Sequence, residues 1–428
     1  AISAAFAGAA QAQSLMSLYE TARGYDAAFK AAQSQYTANL SKGDQAKALL
    51  LPTVGLSATV NKTEVELIAA GQTVNAQSKA ATLSASQPLY RPANFANYQQ
   101  GMRQLELASV QLKAAEQDLM VRLSQAYFDV LVSRESLDFV KAQKVAVAEQ
   151  LAAAKRNFEV GTSTITDTRE AEARFDLIRA QEIAAENDLR VKRLALDQLV
   201  GMTQAQPLPL KPQATLAAPS PNDPEAWVAS ALRLHPSLLT AELNAEVAKL
   251  EIERARAGHL PTLDLQASLG QTRNSGGTAL SGLSSQANSQ ALGLSLNWPL
   301  FAGFSVQNRV AETVALEDKA RLDLEAARRN VSQAVRTAYL GLVSGIGQVK
   351  ALQAAEDSSQ LALDANKLGY SVGVRINIDV LNSQSQLYQT KRDLAQARYN
   401  VLLGTLKLRQ ANGTLQAQDL QSVNDLLN

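Results

Sequence analysis

The 428-residue sequence contains no cysteine, only two histidines, and few aromatic residues, which make up 5% of the chain. Without cysteine, disulfides, thiolate metal sites and cysteine nucleophiles are all excluded. His235 and His259 stand beside prolines and lack the spacing of metal ligands. We therefore predict that the protein is not an enzyme, and we expect neither a metal site nor a cofactor.

Neither sign of charge is in excess, and no long apolar run is present. Lysine and arginine number 41 against 40 aspartates and glutamates, which gives a formal net charge of +1. Nucleic acid is not an expected partner, because phosphate binding needs a clustered basic excess. No apolar run reaches the ~20 residues that a membrane-spanning helix requires.

Residues 1–12 read AISAAFAGAAQA and form a small, apolar segment. The segment ends in Ala10-Gln11-Ala12, which is typical of the tail of a secretory signal. We predict a residual signal peptide over 1–12, with cleavage before Gln13. The alternative is a frayed alanine-rich tail.

The sequence is internally duplicated. Three motifs recur at a near-constant spacing: Leu51-Pro52-Thr53 as Leu260-Pro261-Thr262, QPLY at 87–90 as WPLF at 298–301, and Val160-Gly161 as Val372-Gly373. Such an offset is expected for one ancestral unit with small changes in its loops. We predict two structural repeats, 13–210 and 222–413, with a linker at 211–221 and a C-terminal segment at 414–428.

Each repeat contains two segments in which apolar and polar residues alternate. In the second repeat, Leu263, Leu265, Ala267 and Leu269 alternate with polar residues or glycine. This period of two indicates a strand with one apolar face, and the segments are about as long as a tilted strand needs to cross a bilayer. We predict strands at about 52–66, 73–90, 261–271 and 289–301, with a polar exposed loop at 271–290.

Each repeat also contains helical patterns, and one helix in each is very long. Segments 93–158 and 305–369 contain no proline, and ~65 residues at 1.5 Å per residue give a rod of roughly 95 Å. Such a length is typical of a coiled coil. Glycines at 161 and 373 are suited to end the rods, so each repeat closes in a helical hairpin with its tip at 161–167 or 373–379. Further helices are predicted at 14–47, 167–200, 224–257 and 379–411.

The four strands predict an oligomer. Single-chain barrels begin at eight strands, and an open sheet in lipid leaves unpaired edges that cost several kcal/mol per group. A dimer would supply eight strands and a trimer twelve, and twelve leave more room for a channel. The long hairpins are too polar to enter lipid, so the pattern favours a tube built around one axis.

The strand ends QPLY and WPLF, and the hairpin tips VGTSTITD (160–167) and YSVGVRINIDVL (370–381), resemble the TolC family of outer-membrane efflux and secretion channels. The resemblance covers residues 14–415. It implies a mainly α protein with a transmembrane β part. Long coiled-coil hairpins would form a periplasmic α-barrel, and four strands per protomer would contribute to a shared 12-stranded outer-membrane barrel.

By the same resemblance, the protein is a homotrimer in outer-membrane lipid that extends into the periplasm of a Gram-negative cell. The implied partners are a periplasmic adaptor (membrane fusion) protein and an inner-membrane pump of the ABC or RND type. The implied function is an exit duct for small molecules or unfolded proteins, gated at the hairpin tips. The alternative is a periplasmic coiled-coil adaptor or scaffold that does not span the membrane.

The gate residues are carried over from the family by position. Asp379 resembles the acidic ring at the entrance, and Asn382 replaces the family's second acid, so a trimer would carry three carboxylates rather than six. Three carboxylates on one axis would bind cations, and we expect divalent or trivalent cations to plug the entrance. Asp379 is alternatively an N-cap. Gly161 and Gly373 mark the tips that would contact the adaptor.

The closed-state tethers are carried over in the same way. Tyr370 resembles the tyrosine that bonds Asp167 of the other hairpin, and Arg375 resembles the arginine linked to Thr166. Asp167 with Glu170 alternatively forms a capping box, and Arg375 is alternatively a solvated tip charge.

Overall fold

The computed structural model describes residues 13–67, 72–211, 213–276 and 284–427. Over these residues the elements follow in the order α1 (Leu15–Tyr25), α2 (Ala27–Ala48), β1 (Thr53–Leu67), β2 (Gln72–Tyr90), α3 (Pro92–Glu159), α4 (Ile165–Val200), α5 (Pro224–Leu234), α6 (Pro236–Arg256), β3 (Thr262–Ser275), β4 (Ser285–Asn297), α7 (Ser305–Ser371), α8 (Asn377–Ala411) and α9 (Ala417–Asn424). The predicted signal peptide at 1–12 lies outside the described residues. Among the helices that the structure describes, none has an apolar stretch long enough to cross a membrane.

The chain divides into two compact units. Unit 1 comprises Ala1–Gln33, Gln111–Leu239 and Ala327–Asn428, and unit 2 comprises Ser34–Val110 and Thr240–Ala326. Each unit draws on both predicted sequence repeats, so the repeats are not separate compact bodies. The reason lies inside each unit, because strands of both repeats pair in one sheet and helices of both repeats share one apolar core.

Unit 2 contains a four-stranded antiparallel sheet in the order β1-β2-β3-β4. Strands β2 and β3 join the two repeats, from Gln77 opposite Ser275 to Tyr90 opposite Leu263. The register shifts between Pro88 and Tyr90. Proline lacks the N–H that a ladder needs, so an irregularity at this position is expected.

Away from the β1–β2 hairpin end, the register places the large apolar residues of the four strands on one face. Val54 lies opposite Ala85, Ala85 opposite Ala267, and Ala267 opposite Leu292. Because side chains alternate along a strand, the neighbouring serines, threonines and glutamines occupy the other face. The apolar face is open in the single chain, where 77% of Leu292 is exposed.

Two strand boundaries differ clearly from the prediction. Strand β3 continues to Ser275 and β4 begins at Ser285, so much of the loop predicted at 271–290 is strand. The ladder extends to Asn274 opposite Ser285, because backbone pairing does not depend on apolar side chains. Strand β4 ends at Asn297 rather than 301, before Pro299, which has no N–H to donate.

An ion pair lies at the end of the sheet where the strands lead into helices. Arg91, which follows β2, donates from Nε and Nη2 to the two carboxylate oxygens of Asp264 at 2.7 and 2.6 Å. Asp264 is almost fully buried, whereas Arg91 is half exposed. This two-pronged geometry fixes the start of β3 to the chain that enters α3.

Unit 1 is mainly helical and has an aromatic centre. Tyr127 and Phe128 of α3 meet edge to face at 5.7 Å, and Phe128 lies 5.7 Å from the Tyr399 ring of α8. The segments predicted as 211–221 and 414–428 meet in this unit, where the Lys211 N–H donates to the Leu426 carbonyl at 3.0 Å. Two repeats therefore contribute to one core.

The helix predicted at 14–47 is two helices, α1 and α2, separated at Asp26. The Asp26 carboxylate accepts a hydrogen bond from the main-chain N–H of Phe29 at 2.7 Å, as an N-cap does. Arg122 of α3 donates to the same carboxylate at 3.2 Å. The single-helix prediction was wrong because Asp26 bonds the backbone locally and interrupts the helix.

The helix predicted at 224–257 is also two helices, α5 and α6. His235 between them has an extended backbone, since the residue before a proline is disfavoured in the helical conformation. Asp223 is the N-cap of α5. The Asp223 carboxylate accepts from the N–H of Glu225 at 3.0 Å.

Candidate functional site: the hairpin tips

Both long helices end in the same turn. Gly161 has a φ of 79° and Gly373 a φ of 80°. After α3, the Thr162 N–H donates to the Asn157 carbonyl at 2.8 Å and the Gly161 N–H to the Phe158 carbonyl at 3.0 Å. Residues 374 and 373 make the equivalent bonds after α7. This helix ending requires a left-handed residue, which explains the recurrence of glycine.

Helix α4 begins at Ile165, two residues earlier than predicted, and Thr164 is its N-cap. The Thr164 hydroxyl accepts from the Asp167 N–H at 3.3 Å, and the Asp167 carboxylate accepts from the Thr164 N–H at 3.0 Å. This is a capping box in which Asp167 is the third helical residue. The alternative box from Asp167 to Glu170 was therefore wrong.

Helix α8 begins at Asn377, and its N-cap is Ile376. The prediction of Asp379 as N-cap was wrong, because Asp379 is the third residue of the helix. Its carboxylate lies in the first turn, where the helix dipole favours negative charge. Arg375 Nη1 lies 3.7 Å from Asp379 Oδ2, and neither side chain is buried. Arg375 thus pairs with the predicted gate carboxylate within one chain.

Tyr370 bonds a different partner from the one predicted. Its hydroxyl accepts a hydrogen bond from Asn157 Nδ2 at 3.1 Å, and this bond joins α7 to α3. Within the described residues of one chain Tyr370 is not bonded to Asp167, because the Asp167 carboxylate faces Thr164 in the capping box. The side chain of Thr166 is exposed, and Arg375 turns to Asp379 instead. Tethers between copies of the chain stay predictions.

Asn377 is the buried polar connection between the two tips. Only 1% of it is exposed. Its Oδ1 accepts a hydrogen bond from Gln150 Nε2, and its Nδ2 donates to the main-chain carbonyl of Asp167 at 3.2 Å. One amide therefore connects the start of α8 to α3 and to the start of α4.

An apolar cluster lies beneath this connection. Leu381 of α8 is fully buried together with side chains of both helices of the first hairpin, namely Val140, Val147, Ala154, Ala171 and Ile178. Burial of a leucine of this kind stabilises this packing by about 1.5–3 kcal/mol. The two hairpins are thus held by apolar packing and by a few amide bonds.

Asn382 has a basic neighbour. Arg174 of α4 donates from Nη2 to Asn382 Oδ1 at 3.0 Å. A polar groove beside this pair is also lined by Gln143 and Arg392, and Arg392 donates to Gln143 Oε1 at 3.3 Å. Burial lowers the pKa of Arg392, although Asp393 partly opposes this. Asn382 therefore lies beside two cationic side chains, Arg174, which bonds it, and Arg392, which lines the same groove.

Three amides and a glycine of this site were missed by the sequence reasoning. The amides are those of Gln150, Asn157 and Asn377. Each forms a hydrogen bond with a residue more than 200 positions away, and no periodic pattern in the sequence marks such a bond. Gly369 makes room for Arg375, since a Cβ there would lie 2.7 Å from Arg375 Cγ. The sequence offers one hint of this site, because Asn377 is a polar residue between two apolar ones, Ile376 and Ile378.

The outer surface of the tips is apolar around the two glycines. Val160, Val372 and Val374 are 73%, 65% and 78% exposed. Exposed apolar residues in a cluster mark an interaction surface. Over the described ranges the structure contains no group of three or more His, Cys, Asp or Glu side chains that could hold a metal ion.

The sequence model of the family described as "Outer membrane efflux protein" matches residues 5–202 and 227–414. The chain belongs to the outer membrane efflux protein family. It is 32% identical to the outer membrane protein TolC of Vibrio cholerae over 420 residues, which cover 96% of this chain and 93% of that protein. It is 31% identical to the proteases secretion protein PrtF of Dickeya chrysanthemi, over 97% of this chain and 91% of that protein.

Solved structures of channels share the fold. The outer membrane channel CmeC of Campylobacter jejuni superposes with a TM-score of 0.82 at 16% identity, covering 97% of this chain and 90% of that one. The four-stranded sheet is one protomer's portion of a β-barrel, and the long helices belong to an α-barrel. This member of the outer membrane efflux protein family is an outer-membrane exit duct for efflux or type I secretion, which assembles with periplasmic and inner-membrane partners. The proteins that it resembles are channels rather than enzymes.

Proposed function

We propose that three copies of the chain form one channel. The observation that carries this proposal is the open sheet, which ends at β1 on one side and at β4 on the other. Two open edges in lipid are unfavourable, and β4 of one copy can pair with β1 of the next. Three copies give twelve strands, which leave a lumen, whereas eight strands would be filled by their own side chains.

The hairpin tips are the proposed gate. In the single chain, Asn377 and Tyr370 connect the second hairpin to the first, while the valines around the glycines are exposed. Opening would separate the hairpins and break these amide bonds. A periplasmic adaptor that binds the exposed apolar tips around Gly161 and Gly373 would supply the free energy for that change.

Asp379 is the proposed cation site at the entrance. Three copies of its carboxylate would converge on the channel axis and attract multivalent cations. Arg375 lies 3.7 Å from this carboxylate and lowers the net negative charge. Asn382 adds no charge and is bonded by Arg174, so the ring is weaker than one with two acids per chain.

The inner-membrane partner is proposed to be a pump of the ABC type. The supporting observation is the 31% identity to a protease secretion protein over most of both chains. A pump of the RND type is the second candidate, because the fold is shared with channels such as CmeC. Co-purification of the chain with each class of pump and its adaptor would distinguish the two.

The trimer and its gate are tested together by planar-bilayer conductance and mass photometry of one purified sample. A trimer with small, stable channels is expected, and the combined change Tyr370→Phe with Arg375→Ser should widen them. A monomeric or dimeric particle would contradict the trimer. Unchanged conductance of the variant in a trimer would contradict the gate alone.

A further inference from the structure

The apolar face of the sheet ends in a row of cations. On β2 and β3, the outward residues proceed from Leu83 and Leu269 through Ala81 and Gln271 to Lys79 and Arg273. Lys79 lies directly opposite Arg273 in this register. Residues of one strand that are two positions apart share a face, so the two cations belong to the lipid-facing side of the sheet.

A third cation adjoins this pair. Lys79 lies opposite Val60 of β1, and Lys62 is two residues further along the same face. All three cationic side chains are exposed. None of them forms an ion pair within 4.0 Å in the ranges that the structure describes. Glu64 follows Lys62 on that face, nearer the hairpin ends of the strands, and does not reach them.

The opposition of Lys79 and Arg273 is unfavourable unless an anion lies between them. Directly opposed residues of an antiparallel pair have Cβ atoms about 4.5–5.5 Å apart, and like charges in such positions repel. A phosphate group is large enough for its oxygens to contact both side chains, and arginine can bind it through two N–H donors. The pair therefore has the chemistry of a phosphate site.

The height of the row fits the edge of a bilayer. Ten residues of β3 separate Leu263 from Arg273, which is about 34 Å along the strand. With the tilt of about 40° that barrel strands have, the vertical distance is about 26 Å, close to the ~25 Å apolar band of outer-membrane barrels. Trp298, just beyond β4, adjoins the opposite edge of the band, at the end that leads into helices.

We propose that Lys79 and Arg273, assisted by Lys62, bind the phosphate groups of the glycolipid in the outer leaflet. This inference rests on the proposed trimeric channel, and it takes the β1–β2 and β3–β4 hairpin ends to face outward and the helices to face the periplasm. The outer leaflet of a Gram-negative outer membrane is built from phosphorylated lipid A. Each protomer would bind one such headgroup and thereby fix the depth of the barrel in the membrane.

The test is native mass spectrometry of the detergent-solubilised protein titrated with diphosphoryl lipid A. Removal of one cation should weaken lipid A binding about fivefold, so the variant Lys79→Gln/Arg273→Gln should bind this lipid about 25-fold more weakly. Lys62→Gln should weaken binding by a smaller factor. Binding of phosphatidylcholine, which has no net charge, should be the same for all variants.

Lys42→Gln/Lys47→Gln is the matched control, because it removes two exposed lysines of α2 in the same unit. Equal lipid A binding by wild type and Lys79→Gln/Arg273→Gln, or equal weakening in the control, would overturn the proposal. Displacement of the lipid by inorganic phosphate at matched concentration would also overturn it and assign the pair to free phosphate. The lipid titration measures binding and does not require the protein to conduct. A wild-type protein that bound lipid A but failed to conduct would therefore contradict the proposed channel and not this inference.

Discussion

Asn377 donates a hydrogen bond from Nδ2 to the main-chain carbonyl of Asp167 at 3.2 Å and so connects the starts of the two shorter helices of the tips. The two residues are 210 positions apart in the sequence. Because the amide is buried and also accepts from Gln150, its removal leaves the Gln150 amide without this partner and takes the side-chain hydrogen bond away from the Asp167 carbonyl.

Asn377→Ala should open the tips. Each buried polar group left unpaired costs about 1–3 kcal/mol, and the cost falls on the packed state of the hairpins rather than on the separated one. We expect a severalfold rise in single-channel conductance in a planar bilayer. Asn377→Asp, which places a buried carboxylate oxygen against the Asp167 carbonyl, should give a rise at least as large.

Asn308→Ala is the control for this change, since Asn308 is an exposed amide of α7 in the other unit. It should leave conductance unchanged. If Asn377→Ala folded to the same particle mass and conducted like wild type, Asn377 would have no part in holding the tips.

The turns and the long helices of this site follow from local patterns, and the connection through Asn377 does not. The turns are predictable because they need a left-handed residue, which favours glycine at 161 and 373. The helices α3 and α7 are predictable because their segments are long and contain no proline. The predicted tip at 373–379 includes Asp379, whereas the role of this residue at the entrance is implied only by the family resemblance. Hydrogen bonds such as that of Gln150 with Asn377 depend on how two hairpins pack, which a single sequence does not encode in any period.

The sheet illustrates the same limit. The alternation of Leu263 to Leu269 is sufficient to predict β3, but it does not predict the polar ladder out to Asn274 and Ser285, where the sequence favours a loop. Asp26 had the opposite effect, because a helical pattern continued across it while its carboxylate bonded the backbone of Phe29. Hydrogen bonds override the residue pattern in both cases: a long-range ladder extends the sheet, and a local cap at Asp26 interrupts the helix.

The bond between Asn157 and Tyr370 predicts strong coupling between these two residues. Tyr370→Phe and Asn157→Ala each remove the same hydrogen bond, so the double variant should conduct no more than the larger single variant. Bilayer conductance of the four proteins measures this cycle. Additive changes in conductance for Tyr370→Phe and Asn157→Ala would contradict this prediction. If Tyr370→Phe were instead coupled to Asp167→Asn, the result would favour the bond between Tyr370 and Asp167 that the family resemblance implies.

Arg375→Gln should make the entrance more sensitive to multivalent cations. The guanidinium lies 3.7 Å from the Asp379 carboxylate, and its loss leaves that charge uncompensated. We expect a roughly tenfold lower concentration of hexamminecobalt(III) for half block, and loss of block in Asp379→Asn.

Arg169→Gln is the matched control for Arg375→Gln. Arg169, near the start of α4, is likewise an exposed arginine paired with a nearby carboxylate, at 2.8 Å from Glu172. Its removal should not change the block. Equal block of wild type and Asp379→Asn would show that the cation binds elsewhere.

Glu135 of α3 predicts a pH dependence of stability in unit 1. Burial raises the pKa of its carboxyl above the ordinary glutamate value, although the hydroxyl of Tyr399, which donates to it, acts in the opposite direction. The folded chain therefore retains a proton that the unfolded chain has lost, and stability should fall as pH rises from the ordinary pKa of glutamate through the raised one.

Glu135→Gln, which is neutral at every pH, should abolish this part of the decline in melting temperature between pH 4 and 8. Tyr399→Phe should steepen the decline, because the lost bond favoured the charged carboxylate. A melting profile of Glu135→Gln parallel to that of wild type would mean that the carboxyl titrates normally.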